Sequence, residues 1–134
     1  MSANTAEFNA KVRNFAQVLA PKKFELFFKK VALTALKKLV EKTPVDTGRA
    51  RGNWQLTINY PADWEIDTED RTGSGTIAKG RNRLRGLPQH GIGQVVFISN
   101  NVPYAKDLDE GRRSHQAPRG MLQPTIDELS QMFR

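Results

Sequence analysis

Apolar residues recur at helical spacing through the first third of the chain and at alternate positions through the middle, and the two periods meet at Pro44. Phe8, Val12, Phe15, Ala16 and Leu19 follow Asn4-Thr5-Ala6-Glu7, which has the form of an N-cap with an acid in the first turn, so a first helix is expected to about Leu19. Pro21 suits a first helical position and marks either a second helix or a kink in one long helix. From Pro21 to about Lys42 the apolar positions are Phe24, Phe27, Phe28, Val31, Ala32, Ala35, Leu36, Leu39 and Val40. At 100° per residue all except Leu36 and Val40 fall in one arc, with Lys22, Lys23, Lys29, Lys30 and Lys37 mostly elsewhere. This predicts a core helix of roughly 33 Å, one face on a sheet and the other in solvent.

Pro44 lacks an amide hydrogen and disfavours helical geometry at Thr43, so the helix should stop there. In Pro44-Val45-Asp46-Thr47-Gly48, the Asp and Thr side chains can bond nearby amides and the glycine can take positive φ, which predicts a fixed structural corner made by Pro44, Asp46, Thr47 and Gly48. Arg49 and Arg51 are then expected on one side of an extended segment. Trp54, Leu56 and Ile58 alternate with polar residues as a half-buried strand, and Pro61-Ala62-Asp63 turns the chain. Trp64-Glu65-Ile66-Asp67 is expected as a short second strand, and Gln94 to Ser99 as another that completes a three- or four-stranded, mostly antiparallel sheet. Asn100-Asn101-Val102-Pro103 should lead into a short helix through Tyr104, Ala105 and Leu108, stopped by Gly111. A loop from Arg112 to Gly120 precedes a closing helix striped by Leu122, Ile126, Leu129 and Phe133.

The fold class is therefore α+β: a long N-terminal helix packed on a small mostly antiparallel sheet, with two short C-terminal helices and a long basic loop. The 134 residues suit one domain, helical over 1–42, corner and sheet over 43–99, and short helices over 100–134. The chain contains neither a run of eighteen apolar residues nor a signal-peptide pattern, so no membrane is expected as a partner and a cytoplasm-like compartment is. Zero cysteines exclude disulfides and thiolate zinc sites, and with two isolated histidines no metal or other cofactor is expected. His115, beside Arg113 and without an acid spaced to orient it, reads as a loop residue.

Charge changes the picture more. Residues 1–42 hold nine Lys/Arg against three acids, 43–70 two against six, 71–90 five against none, and 91–134 five against five. The stretch from Arg71 to His90 contains four glycines and is expected to be a flexible loop. If extended, it would put Arg81, Arg83 and Arg85 on one face about 6 to 7 Å apart, near the spacing of successive phosphates. Arg71, Lys79, Arg81, Arg83 and Arg85 are thus the candidate DNA or phosphate contacts. Gly73-Ser74-Gly75 is not a phosphate-binding P-loop, because no Gly-Lys-Ser/Thr follows and no strand-to-helix context surrounds it.

Two stretches carry a family resemblance: Thr43-Pro44-Val45-Asp46-Thr47-Gly48-Arg49 after a basic helix, and Asn101-Val102-Pro103-Tyr104-Ala105-Lys106-Asp107-Leu108-Asp109-Glu110-Gly111 followed by Gln116-Ala117-Pro118-Arg119-Gly120-Met121-Leu122. Together they resemble the tail-completion (neck, minor tail Z-like) family of long-tailed bacteriophages, over about Phe24 to Leu129. The family commonly has a glutamate where this chain has Asp109, and the insert from Arg71 to His90 is not a shared motif. The resemblance implies a structural protein of the virion without enzymatic activity, assembled in the host bacterial cytoplasm. It would form a ring with copies of itself, a hexamer being one candidate size, and join other neck and tail proteins between tail and DNA-filled head, with duplex DNA in the lumen. Tyr104, Asp109, Gly111, Pro118 and Arg119 are the expected subunit or partner contacts. Opposite charge patches, acids at 63–70 and lysines on the helix, would favour head-to-tail contact between subunits.

Two rivals come from the same residues. A free-standing nucleic-acid-binding module would explain the pI near 10.0, but aromatics interleaved with the basic residues are missing. Asp46-Thr47-Gly48 is also the triplet of aspartic proteases, in which two such carboxylates share a proton, so a chain of this length would act as a dimer; here a basic helix and Pro44 precede the triplet and Arg49 follows.

Overall fold

A computed structural model of the chain describes residues 21–87, 94–111 and 116–133; the helix expected over residues 4–19 lies outside them, as do His90 and His115. The elements in order are α1 (Pro21–Lys42), α2 (Arg49–Gly52), β1 (Trp54–Ile58), α3 (Ser74–Arg85), β2 (Val96–Asn100), α4 (Ala105–Asp109) and α5 (Leu122–Met132). This is an α+β fold in which the long helix packs on a two-stranded antiparallel sheet.

The strands pair Trp54 with Asn100, Leu56 with Ile98 and Ile58 with Val96, so those six residues share the face turned to the helices. A ribbon of two strands is marginal alone, and here α1 and α3 cover it. Leu36, Leu39 and Val40 of α1 are fully buried in one apolar cluster that includes Trp54, Leu56, Ile98, Leu84 and Leu129.

Four expectations are corrected. The stretch 71–90 is not a loop over most of its length: residues 74–85 form α3, with Thr76, Gly80 and Leu84 buried. Leu36 and Val40, outside the predicted arc, are buried because α3 lies over them; each contributes about 1.5 to 3 kcal/mol of burial. Among the described residues the sheet has two strands, since Trp64–Asp67 runs without a ladder partner there. Side chains take up its backbone instead: Asn53 donates to the Ile66 carbonyl (3.0 Å) and accepts its amide (2.6 Å), while Gln55 donates to the Trp64 carbonyl (2.8 Å). Asn101 adds a donation to the Ala62 carbonyl (2.7 Å).

Finally, Arg49 and Arg51 sit on a helical turn, where residues two apart diverge. Arg49 reaches Glu65 and Asp67, whereas Arg51 donates to the carbonyls of Glu41, Thr43 and Arg71.

Candidate functional site

The corner is built by the end of α1. Thr43 donates its hydroxyl to the Leu39 carbonyl (2.6 Å) and accepts the indole N–H of Trp54 (2.6 Å), so β1 is tied to the last helical turn across the proline. Arg51 adds a cation at the same helix terminus, where the unsatisfied carbonyls carry partial negative charge. Pro44 is buried, Asp46 and Thr47 are exposed, and the Thr47 hydroxyl accepts the Arg49 amide at 3.2 Å.

Gly48 has φ 94°, and its carbonyl accepts the amides of both Gly52 and Asp70 at 2.9 Å. A Cβ there would stand 2.7 Å from the Arg71 amide nitrogen, so only glycine lets the segment before α3 cross the corner.

The corner meets the last third of the chain through Gln116. Its side-chain oxygen accepts the Val45 amide at 3.0 Å and its side-chain nitrogen donates to the Val45 carbonyl at 3.3 Å. A cleft of about 620 Å³ opens between these parts, lined by Pro44–Ala50 with Tyr104, Leu108 and Gln116. Among the described lining residues Asp46 is the one carboxylate. Among the described residues no group of three or more His, Asp or Glu is placed to hold a metal ion, and no helix is long and apolar enough to cross a membrane.

Asp109, the last residue of α4, turns its carboxylate to the start of α5. Its carboxylate accepts the amides of Met121 (3.0 Å) and Leu122 (2.9 Å), a cap supplied by a residue distant in sequence. Gly111, with φ 77°, abuts the Pro118 carbonyl, and Arg119 is exposed near Asp127 (3.7 Å). Of the five expected contact residues, then, Tyr104 joins the cleft while Asp109, Gly111, Pro118 and Arg119 form the α4–α5 connection.

The basic residues gather on α3. Lys79, Arg81, Arg83 and Arg85 are exposed on this helix, and Arg71 is exposed before it. No carboxylate among the described residues forms an ion pair with any of these five. The three arginines do not share one face, because residues on a helix turn through 100° each. Gly73-Ser74-Gly75 does open a helix, although from an irregular segment with bends at Arg71 and Thr72 rather than from a strand.

That helix terminus is already occupied. Asp70 accepts the amides of Gly73 (3.0 Å) and Thr76 (2.8 Å) and the Thr76 hydroxyl (2.7 Å). Burial works against its ionisation, but the bonds from Thr76, Gly73 and Thr72 outweigh it and hold the carboxyl below its usual range. The ion pairs to Glu65 and then Asp67 hold the Arg49 guanidinium above its ordinary value.

Three residues organise the site in ways the sequence reading does not assign them: Asn53, Asp70, read there only as part of an acidic patch, and Gln116, read only as part of the resemblance. An acid ahead of Thr72-Gly73-Ser74 was a readable cap signal for α3. The pairing of Gln116 with Val45 left none, because the two lie 71 residues apart.

Comparison with known proteins finds no matching family model, no matching curated protein and no matching solved structure.

Proposed function

We propose that this chain is a structural subunit of the tail-completion or neck type in a long-tailed bacteriophage or prophage. It assembles as a ring with copies of itself at the head-proximal end of the tail, contacts other neck and tail proteins, and resides in the virion. The observation that carries this reading is the pairing of Gln116 with Val45, which joins the two motif-bearing stretches into one surface. Their polar groups are used to hold backbone: Thr43 ties α1 to β1, Gly48 bonds two amides, and Asp109 caps α5. Such use suits a rigid building block. A dimeric protease reading needs the Asp46 carboxylates of two copies to share a proton, in a triplet followed by a small residue, whereas here Arg49 follows it.

The four cations of α3, unmatched by any described carboxylate, favour a second reading as a nucleic-acid-binding module. Sedimentation velocity and negative-stain electron microscopy, with and without duplex DNA and with purified tails, separate the two. Closed rings, alone or on tails, are expected of a neck subunit. A single-copy species that shifts DNA and never assembles would overturn the neck reading, as would peptide cleavage abolished by Asp46→Asn.

A further inference from the structure

With Thr76, Gly80 and Leu84 of α3 turned inward, the outermost crest of that helix falls at Ala78 and Asn82, both exposed. Lys79 and Arg83 stand on one flank of the crest, Arg81 and Arg85 on the other, each pair one turn apart. The result is a small, low ridge edged by four cations.

A surface of the opposite character lies on the segment just before α3. Asp63, Glu65, Asp67 and Glu69 are all exposed along it. Two large aromatic side chains stand out beside them, Tyr60 at 78% and Trp64 at 55% exposure. The backbone under Trp64 is held by Gln55, Asn53 and Asn101, so the indole is presented from a fixed support. An exposed tryptophan on a preorganised segment, rimmed by charge, is the anchor type that dominates protein interfaces.

We propose that the outward face of α3 receives the Tyr60–Glu69 segment of a second copy of this chain. Asp63 and Glu69 meet the cations of α3, Glu65 and Asp67 being held by Arg49 of their own chain, and the Trp64 indole lies on the Ala78 crest between cationic side chains, which favour an aromatic face. A nucleic-acid duplex would account for the cations but leave the aromatic and acidic segment without a role; a second copy accounts for both. Within one chain no ion pair joins the two patches. Because the patches differ, the contact is heterologous and repeats from copy to copy until a ring closes. The inference rests on the proposed ring assembly and names the surfaces that make it.

The test uses sedimentation velocity on the full chain at low and high salt, with circular dichroism to check folding. All substituted positions are exposed, and neither Asp63 nor Glu69 has an ion pair within the described residues. Arg81→Glu with Arg85→Glu, and separately Asp63→Lys with Glu69→Lys, should each weaken self-association roughly tenfold or more. Mixing the two variants should restore assembly at a one-to-one ratio, and Trp64→Ala should weaken it without altering duplex DNA binding. Wild-type assembly by both reversed variants would overturn this interface and leave the ring reading standing. Loss of DNA binding alone in the arginine variant would assign α3 to nucleic acid and overturn it too. A wild-type chain that never self-associates, alone or on tails, would remove the ring reading and this interface together.

Discussion

Leu36 of α1 and Gly80 of α3 lie so close that a Cβ on residue 80 would stand 2.1 Å from the Leu36 Cδ2. Leu36 is fully buried, so its methyl group has no free space to swing into. Ala for Gly in a helix ordinarily stabilises by about 1 kcal/mol, while overpacking a core costs about 1 to 3 kcal/mol. Gly80→Ala should therefore lower stability in urea unfolding. Gly75→Ala, in the same helix but exposed and with its nearest new neighbour at 3.4 Å, should be neutral or slightly stabilising. Equal effects at the two positions would show that α3 is not seated on α1 as described.

Acid should act first through Asp70 and Glu128. The Lys42 ammonium, helped by Lys38 and opposed by burial, holds Glu128 below its usual value, and hydrogen bonds that outweigh burial do so for Asp70. A carboxyl whose folded pKa is depressed adds stability above its unfolded pKa and loses it as pH falls through the folded one. The unfolded values are near 4.5 and 3.8, so stability should decline below about pH 4.5, and Asp70→Asn should flatten that decline. Removing the cap outright with Asp70→Ala should cost about 1 kcal/mol at neutral pH, measured by denaturant titration.

Thr43→Val keeps the shape of the side chain but removes the acceptor of the Trp54 indole N–H, a bond buried at the corner. An unsatisfied buried donor costs about 1 to 3 kcal/mol, so the loss should exceed that of an exposed threonine such as Thr47→Val. A thermal melt of the two variants side by side measures this, and equal melting temperatures would mean the bond adds nothing.

Gln116→Ala should leave global stability nearly unchanged, since the residue is exposed, yet open the join between the two motif stretches. The Val45 amide, bonded to the Gln116 side chain, should exchange with deuterium markedly faster in the variant, while core amides such as those of β1 keep their protection. Unchanged exchange at Val45 would remove the observation on which the proposed function rests.

Elements that carry their own periodicity could be read from the chain alone. The helix ending at Lys42, the turn with positive φ at Gly48, the paired strands and the closing helix each have enough local pattern to declare themselves. Helix α3 does not: its inward face is Thr76, Gly80 and Leu84, and a glycine chosen for close approach adds nothing to an apolar count. Its signal lay instead in Leu36 and Val40, apolar residues outside the predicted arc that required a cover from elsewhere. Likewise the alternation in Trp64–Asp67 resembled a strand, but the side chains of Asn53, Gln55 and Asn101, brought in by folding, satisfied that backbone and left the indole outside. Local pattern determined where the chain turns and which elements begin there. Long-range packing and the competition for buried hydrogen-bonding groups decided which surface carries the cations, which carries the acids, and that the two motif stretches meet.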